Sequence, residues 1–167
     1  NSNPAVKVAV MKVLESTKGT PQFVELVREF RIRDKNPDLL EMAVNHSGDS
    51  TGVEAVRLLL DNDGIGLLEK SLNSAQTNAA LRTAEVLGNL GEKRVTPLLE
   101  VVIRDGRRDV TVRKQAVRSL VATQEGAAAL LNLAKQDQLA ADVKLVASVE
   151  LNGVRWPKLK AEAAQLL

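Results

Sequence analysis

The sequence predicts an all-α chain: an α-solenoid of about eleven short helices in roughly five stacked pairs, built as one domain over residues 1–167. Three observations predict it. Apolar residues recur three and four positions apart, the period of a helix face rather than the alternation of a strand. Cap-then-proline starts and glycine stops punctuate the chain at short intervals. The pattern of one helix also returns further along the sequence.

Taken in order, the first helix covers 4–17, opened by Asn3-Pro4, striped by Val6, Val10, Val13 and Leu14, and stopped near Gly19. Thr20-Pro21 opens the second, 21–33, where Phe23 and Phe30 lie seven apart on one face and read as core. Asn36-Pro37 opens 37–46, which Gly48 ends. A helix over 51–61 carries Leu58-Leu59-Leu60, and one over 64–73 is capped by Asp63. The next, 77–90, stops at Gly91 and is followed by 93–104. Then come 109–123, with Val112, Ala116, Val117 and Leu120, and 125–136, with Leu130, Leu131 and Leu133. The last two are 141–151, ended by Gly153, and 157–167 after Trp156-Pro157. Connections this short make sequential helices pack antiparallel.

Composition excludes much chemistry. Apolar residues are 44% and charged residues 26% of the 167, so the chain has enough aliphatic side chain for a folded core. No apolar run approaches the roughly 18 residues of a spanning helix. Aromatics are only 2%, too few for base-stacking platforms. There is no Cys, which removes disulfides, thiolate metal sites and Cys nucleophiles, and His46 is the single imidazole. The net charge of +2 is near balance, so nucleic acid is not an expected partner without a clustered basic face. The start lacks both an initiator Met and a signal-peptide pattern, and the chain reads as a piece of something longer.

Repetition is visible when Val112-Arg113-Lys114-Gln115-Ala116-Val117-Arg118-Ser119-Leu120 is set beside Val143-Lys144-Leu145-Val146-Ala147-Ser148-Val149-Glu150-Leu151, 31 positions on. Taking the last Leu as a marker gives Leu14, Leu60, Leu87, Leu120 and Leu151, at intervals of 46, 27, 33 and 31. The long first interval predicts one extra helix near 37–46. Small residues after apolar ones (Ala84, Gly88, Ala116, Ser119, Ala147, Ser148) predict close helix–helix approach. A hairpin with one apolar stripe cannot bury it alone, and stacking several makes a continuous core.

Val-Arg-x-x-Ala-x-x-Ser-Leu at 112–120, followed by a Leu-rich helix, resembles a HEAT repeat of the armadillo-like class, as does Leu81-Arg82 through Gly91 with Pro97-Leu98-Leu99 after it. A narrower resemblance runs from Pro21-Gln22-Phe23-Val24-Glu25-Leu26-Val27-Arg28-Glu29-Phe30 through Gly52-Val53-Glu54-Ala55-Val56-Arg57 to Leu159-Lys160-Ala161-Glu162-Ala163-Ala164. It is similar to the helical segment of large bacterial secreted proteins that join a sugar-dehydrogenase-like β-propeller to a c-type cytochrome. That resemblance implies a periplasmic or extracellular spacer, with haem held only in a separate domain. This segment itself implies no cofactor.

No catalytic constellation stands out. His46-Ser47-Gly48-Asp49 contains triad residue types but reads as a helix end and turn. Asp61-Asn62-Asp63-Gly64 resembles the start of a Ca²⁺ loop yet lacks further ligands, so no metal site is expected. Gly64-Ile65-Gly66 is not a dinucleotide fingerprint. The best interaction candidates are Arg104, Arg107, Arg108, Arg113, Lys114 and Arg118, with Asp109 spaced to pair with Arg113. A second basic group, Arg28, Arg31, Arg33 and Lys35, is mixed with acids. Trp156 reads as a staple for the last helix or as an anchor against a neighbour. Leu166-Leu167 ends without a polar cap, which predicts packing on a neighbour there.

The function these features predict is a non-catalytic scaffold or spacer, binding protein partners or neighbouring domains within a larger secreted redox protein. A stand-alone HEAT adaptor is the alternative. A HEAT-like DNA glycosylase would need an aromatic-lined basic groove, for which the chain lacks the residues.

Overall fold

The computed structural model describes residues 3–167. Among the described residues there are eleven α-helices, one 3-10 turn at Lys93–Val95 and no strand. They are α1 Pro4–Thr17, α2 Pro21–Glu29, α3 Asn36–Asn45, α4 Ser50–Asp61, α5 Ile65–Leu72 and α6 Thr77–Leu90. After the 3-10 turn come α7 Thr96–Arg104, α8 Val110–Leu120, α9 Gln124–Lys135, α10 Ala141–Asn152 and α11 Pro157–Leu166.

Local chemistry sets most starts. Asn3 accepts from the N–H groups of Ala5 and Val6, Asp49 from Thr51 and Gly52, Asp109 from Thr111, and Thr123 from Gly126. Each satisfies amides that a helix leaves orphaned. Three expected caps act otherwise. The Thr20 hydroxyl donates back to the Thr17 carbonyl at 2.6 Å. Asn36 lies inside the first turn of α3, and its Nδ2 donates to the Asn62 carbonyl at 3.0 Å. Asp63 is left-handed, with φ of 59°, and Gly64 holds the cap position of α5.

The stops depart further from expectation. Gly19 and Gly91 have positive φ, whereas Gly48 and Gly153 do not. Helices α2, α4 and α9 instead end on left-handed Arg31, Asp63 and Asp137. In each case the next amide reaches back five residues: Ile32 to Val27, Gly64 to Leu59, and Gln138 to Leu133. That is the Schellman closure with a side chain where glycine is usual. It ends α2 at Glu29 rather than 33, and it turns Phe30 outward to 47% exposure, so Phe30 is not a core residue.

Packing alternates along the chain. Each even helix abuts the next even helix, α2 on α4, α4 on α6, α6 on α8 and α8 on α10. Odd helices abut at α3–α5, α7–α9 and α9–α11. Sequential helices lean together at α1–α2, α3–α4, α5–α6, α7–α8 and α9–α10. Helix α3 pairs with α4 as the other odd helices pair with their successors, and it also abuts α6. The long first interval arises because Leu14 lies on an odd helix while the later markers lie on even ones. On α4 the fully buried leucine is Leu59, alongside Ala55 and Val56, with Leu60 only half-buried.

One aliphatic core runs from Leu14 to Ala163 through Leu39, Leu59, Leu87, Leu120 and Leu151, with Phe23 the only fully buried aromatic. A close seam joins α6 and α8. A Cβ on Gly88 would fall 2.5 Å from Ser119 Oγ and 2.8 Å from Ser119 Cα. The Ser119 hydroxyl donates to the Ala84 carbonyl at 2.7 Å.

Two substitutions test these features. Gly88→Val forces α6 and α8 apart and lowers stability by about 2–3 kcal/mol in urea titration, the cost of overpacking a close seam. Arg31→Gly relieves the left-handed penalty at the end of α2 and raises stability by about 1 kcal/mol in the same assay.

Candidate functional site

The basic run spans the end of α7, its connection and α8, and the structure divides it. Arg104 ends α7 exposed, with no ion pair among the described residues. Arg107 is exposed and its Nε donates to Asp105 at 3.1 Å. Arg108 turns inward: Nη1 donates to the Leu72 carbonyl at the end of α5 at 3.0 Å, and Nε lies 3.4 Å from Asp105. That buried Nε has no hydrogen-bond acceptor.

Arg113 is buried, which sequence reasoning did not anticipate. Its Nη1 and Nη2 each donate to an Asp142 carboxylate oxygen at 2.7 Å, and Nε donates to the Arg108 carbonyl at 3.0 Å. The expected partner, Asp109, caps α8 instead. The fork therefore ties α8 to the first turn of α10, and through Arg108 to α5. Lys114 is half-buried and Arg118 exposed, four apart on α8 and without ion pairs among the described residues. So Arg108 and Arg113 serve the packing, Lys114 is half-buried, and Arg104, Arg107 and Arg118 face solvent.

Trp156 occupies the cap position of α11, half-buried against the core, with the Arg155 guanidinium 5.3 Å from its ring centroid. In the second basic group only Arg28 finds a distant partner among the described residues. Arg28 meets Glu54 at 3.0 Å, Glu54 meets Arg57 at 2.8 Å, and Arg57 meets Glu92 at 3.3 Å. Glu92 also holds Arg94, which reaches Asp61 at 2.9 Å. Arg28–Glu54, Arg57–Glu92 and Arg94–Asp61 lie too far apart in sequence for a local spacing rule to find them, whereas Glu54–Arg57 has an ordinary helical spacing of three.

His46 is brought together with a carboxylate from another helix. It borders an open cleft of about 400 Å³ that includes Asp49, Arg82 and Glu85. Its Nδ1 lies 3.0 Å from Asp49, and that hydrogen bond holds the Asp49 carboxyl below the usual range. The Ser47 hydroxyl, however, donates to Glu85 at 2.8 Å, so its proton is directed away from the imidazole. No His–Asp–Ser relay forms there. Among the described residues no group of three His, Asp or Glu is placed to hold a metal ion. Asp61 binds Arg94, and Asp63 ends α4. No helix of the described chain is long and apolar enough to cross a membrane.

Two grooves meet at the α5 and α7 ends. One, about 330 Å³, runs between Ile65 and Leu72 of α5 and Pro97, Leu98 and Val101 of α7. The other, about 420 Å³, continues past Asp105, Arg107 and Val112. They share Leu72, Asn73 and Arg108. The sequence signal for this site is Val101, an aliphatic residue out of phase with the buried stripe of Leu98, Leu99, Val102 and Ile103.

The Arg113 fork holds the Asp142 carboxyl below the ordinary carboxylate range. A depressed carboxylate stabilises fully above the unfolded value and ceases to do so as pH falls through the folded one. Asp142→Asn therefore lowers the melting temperature at pH 7, and the gap from the parent chain closes as pH is taken from about 5 to 2. Thermal melts followed by circular dichroism across that range check the sign.

No family model, curated protein or solved structure matches this chain.

Proposed function

We propose that this chain is a HEAT-like α-solenoid that acts as a non-catalytic spacer and protein-interaction segment of a larger secreted redox protein. The observation that carries the reading is the alternating packing, even helix on even helix and odd on odd, which is how stacked hairpins extend a core in one direction. The surface area agrees. At 9072 Å² it exceeds the roughly 8,000 Å² that scaling gives a compact monomer of 18.0 kDa. Charged side chains also favour a scaffold, because Arg28, Arg57, Arg94 and Arg113 are engaged in pairs between helices rather than gathered around a reactive centre.

The secreted redox setting is supported by the residues that resemble the helical segment of propeller–cytochrome proteins. It places the chain in the periplasm or outside the cell. Haem belongs to another domain of such a parent, since this sequence has no Cys for covalent attachment.

Small-angle scattering tests the array: the radius of gyration should exceed the roughly 15 Å of a compact domain of this length. The parent reading frame tests the setting. It should encode a propeller before this segment and a Cys-x-x-Cys-His module after it. A compact scattering profile would defeat the solenoid, and a frame without those modules would defeat the redox setting.

A further inference from the structure

We propose that the groove between α1 and the connection from α2 to α3 docks a partner-protein segment carrying an apolar side chain flanked by Asp or Glu. This rests on the interaction role proposed above and gives it a location and a ligand chemistry. Helix α1 abuts α2 and, to a like extent, no other helix. Its apolar residues Val6, Val8, Val10, Met11, Val13 and Leu14 spread around more than half of the helix, yet only Leu14 is buried. A helix so widely apolar is ordinarily covered. Beside it lies a groove of about 370 Å³ with Val6, Val10, Met11, Phe30 and Ile32 as its apolar lining. Val6 and Phe30 are 40% and 47% exposed. The left-handed closure at Arg31 makes the second wall, because it ends α2 early and turns Phe30 outward. Covering this lining with a partner's apolar side chain removes it from water, which favours binding.

Charge selects the occupant. The charged residues lining the groove are Lys7, Arg31, Arg33 and Asp34, three cations against one acid. All four are exposed. The ion pairs of this end of the chain, Lys18 with Glu15 and Asp38 and Arg28 with Glu54, engage none of them. An apolar groove with surplus positive charge at its rim attracts carboxylates and disfavours basic segments. The clefts beside α5 and α7 carry both signs and make no such choice. Arg31 sharpens the point. Glycine would adopt its φ of 50° without strain, and arginine sets a guanidinium on the rim instead. A lipid surface fits less well, since Val8 lies opposite Val6 and Val13 on α1. A helix that rests on a membrane separates its apolar and polar faces.

The experiment pans a phage-displayed random peptide library against the whole chain and synthesises the enriched peptides. Binding is followed by methyl NMR and fluorescence anisotropy. Enriched peptides should pair an apolar residue with nearby Asp or Glu, and added salt should weaken them. They should shift the methyls of Val6, Val10, Met11 and Ile32 and leave those of Leu145 and Val149, exposed on α10, unmoved. Lys7→Glu and Arg33→Glu, both at exposed positions, should each weaken binding about tenfold with unchanged thermal melts. Arg31→Gly should also bind more weakly although its melt rises, a combination that loss of folding does not produce. The proposal is overturned by an absence of enrichment, by basic peptides, or by shifts centred on Leu145 and Val149 or on Ile65 and Val101. Affinity indifferent to both charge reversals would overturn it too. So would self-association abolished by Phe30→Ser, since a second copy would then fill the groove. Binding to phosphatidylglycerol vesicles that Lys7→Glu abolishes would assign the surface to a membrane instead. A failed selection with an extended scattering profile sinks the groove and spares the scaffold, whereas a compact profile sinks the scaffold.

Discussion

The packing depends on how closely α6 and α8 approach, and that distance is fixed by Gly88 against Ser119. Where a Cβ would otherwise sit, the backbone of the facing helix already lies within van der Waals distance. Ser119 uses the same proximity to donate to the Ala84 carbonyl, so the seam is closed by packing and by a hydrogen bond together. Helix α8 then carries α7 on one side and α10 on another. Small residues thus do here what large aromatics do in many cores. They admit dense aliphatic contact by bringing backbones together, which is why a chain with 2% aromatic residues still forms one continuous core.

The sequence shows the helices clearly and their relations poorly. Apolar period and cap-then-proline pairs locate nearly every start, because both act within one turn. Ends were harder, since Arg31, Asp63 and Asp137 take a conformation usually marked by glycine. Their choice depends on where the following residue must go: Ile32, after Arg31, is drawn back against the core. The alternating rows were hidden for a different reason. Leu14 and Leu120 look alike locally, yet one lies on an odd helix and the other on an even helix. Only tertiary packing separates them.

Electrostatics shows the same division between local and distant rules. Spacing favoured Asp109 for Arg113, but a carboxylate that precedes a helix has a competing use, accepting the Thr111 amide at 2.8 Å. Arg113 is then free to reach the next even helix, where Asp142 receives it with both oxygens. The guanidinium side chain is only 5% exposed while the carboxylate is 48% exposed, so water screens one partner and not the other. The fork's value lies largely in direction, fixing where α10 begins relative to α8. The Arg28–Glu54–Arg57–Glu92–Arg94–Asp61 chain does the same among α2, α4 and the 3-10 turn.

The open clefts, unlike the core, come from an interruption of regularity. A perfectly periodic stack covers each aliphatic stripe with the next helix and leaves only convex polar surface. Shortening α5 to a single eight-residue helix leaves the side of α7 facing it partly bare, and Val101 falls on that bare side. The clefts beside it carry both signs of charge, Glu69, Asp105 and Asp109 against Arg94, Arg107 and Arg108. Such a gap costs the packing little, because α6, α8 and α10 carry the continuous seam on the other row. In such a fold the informative positions for function are therefore the aliphatic residues that disobey the helical period, since the ones that obey it are already committed to holding the stack.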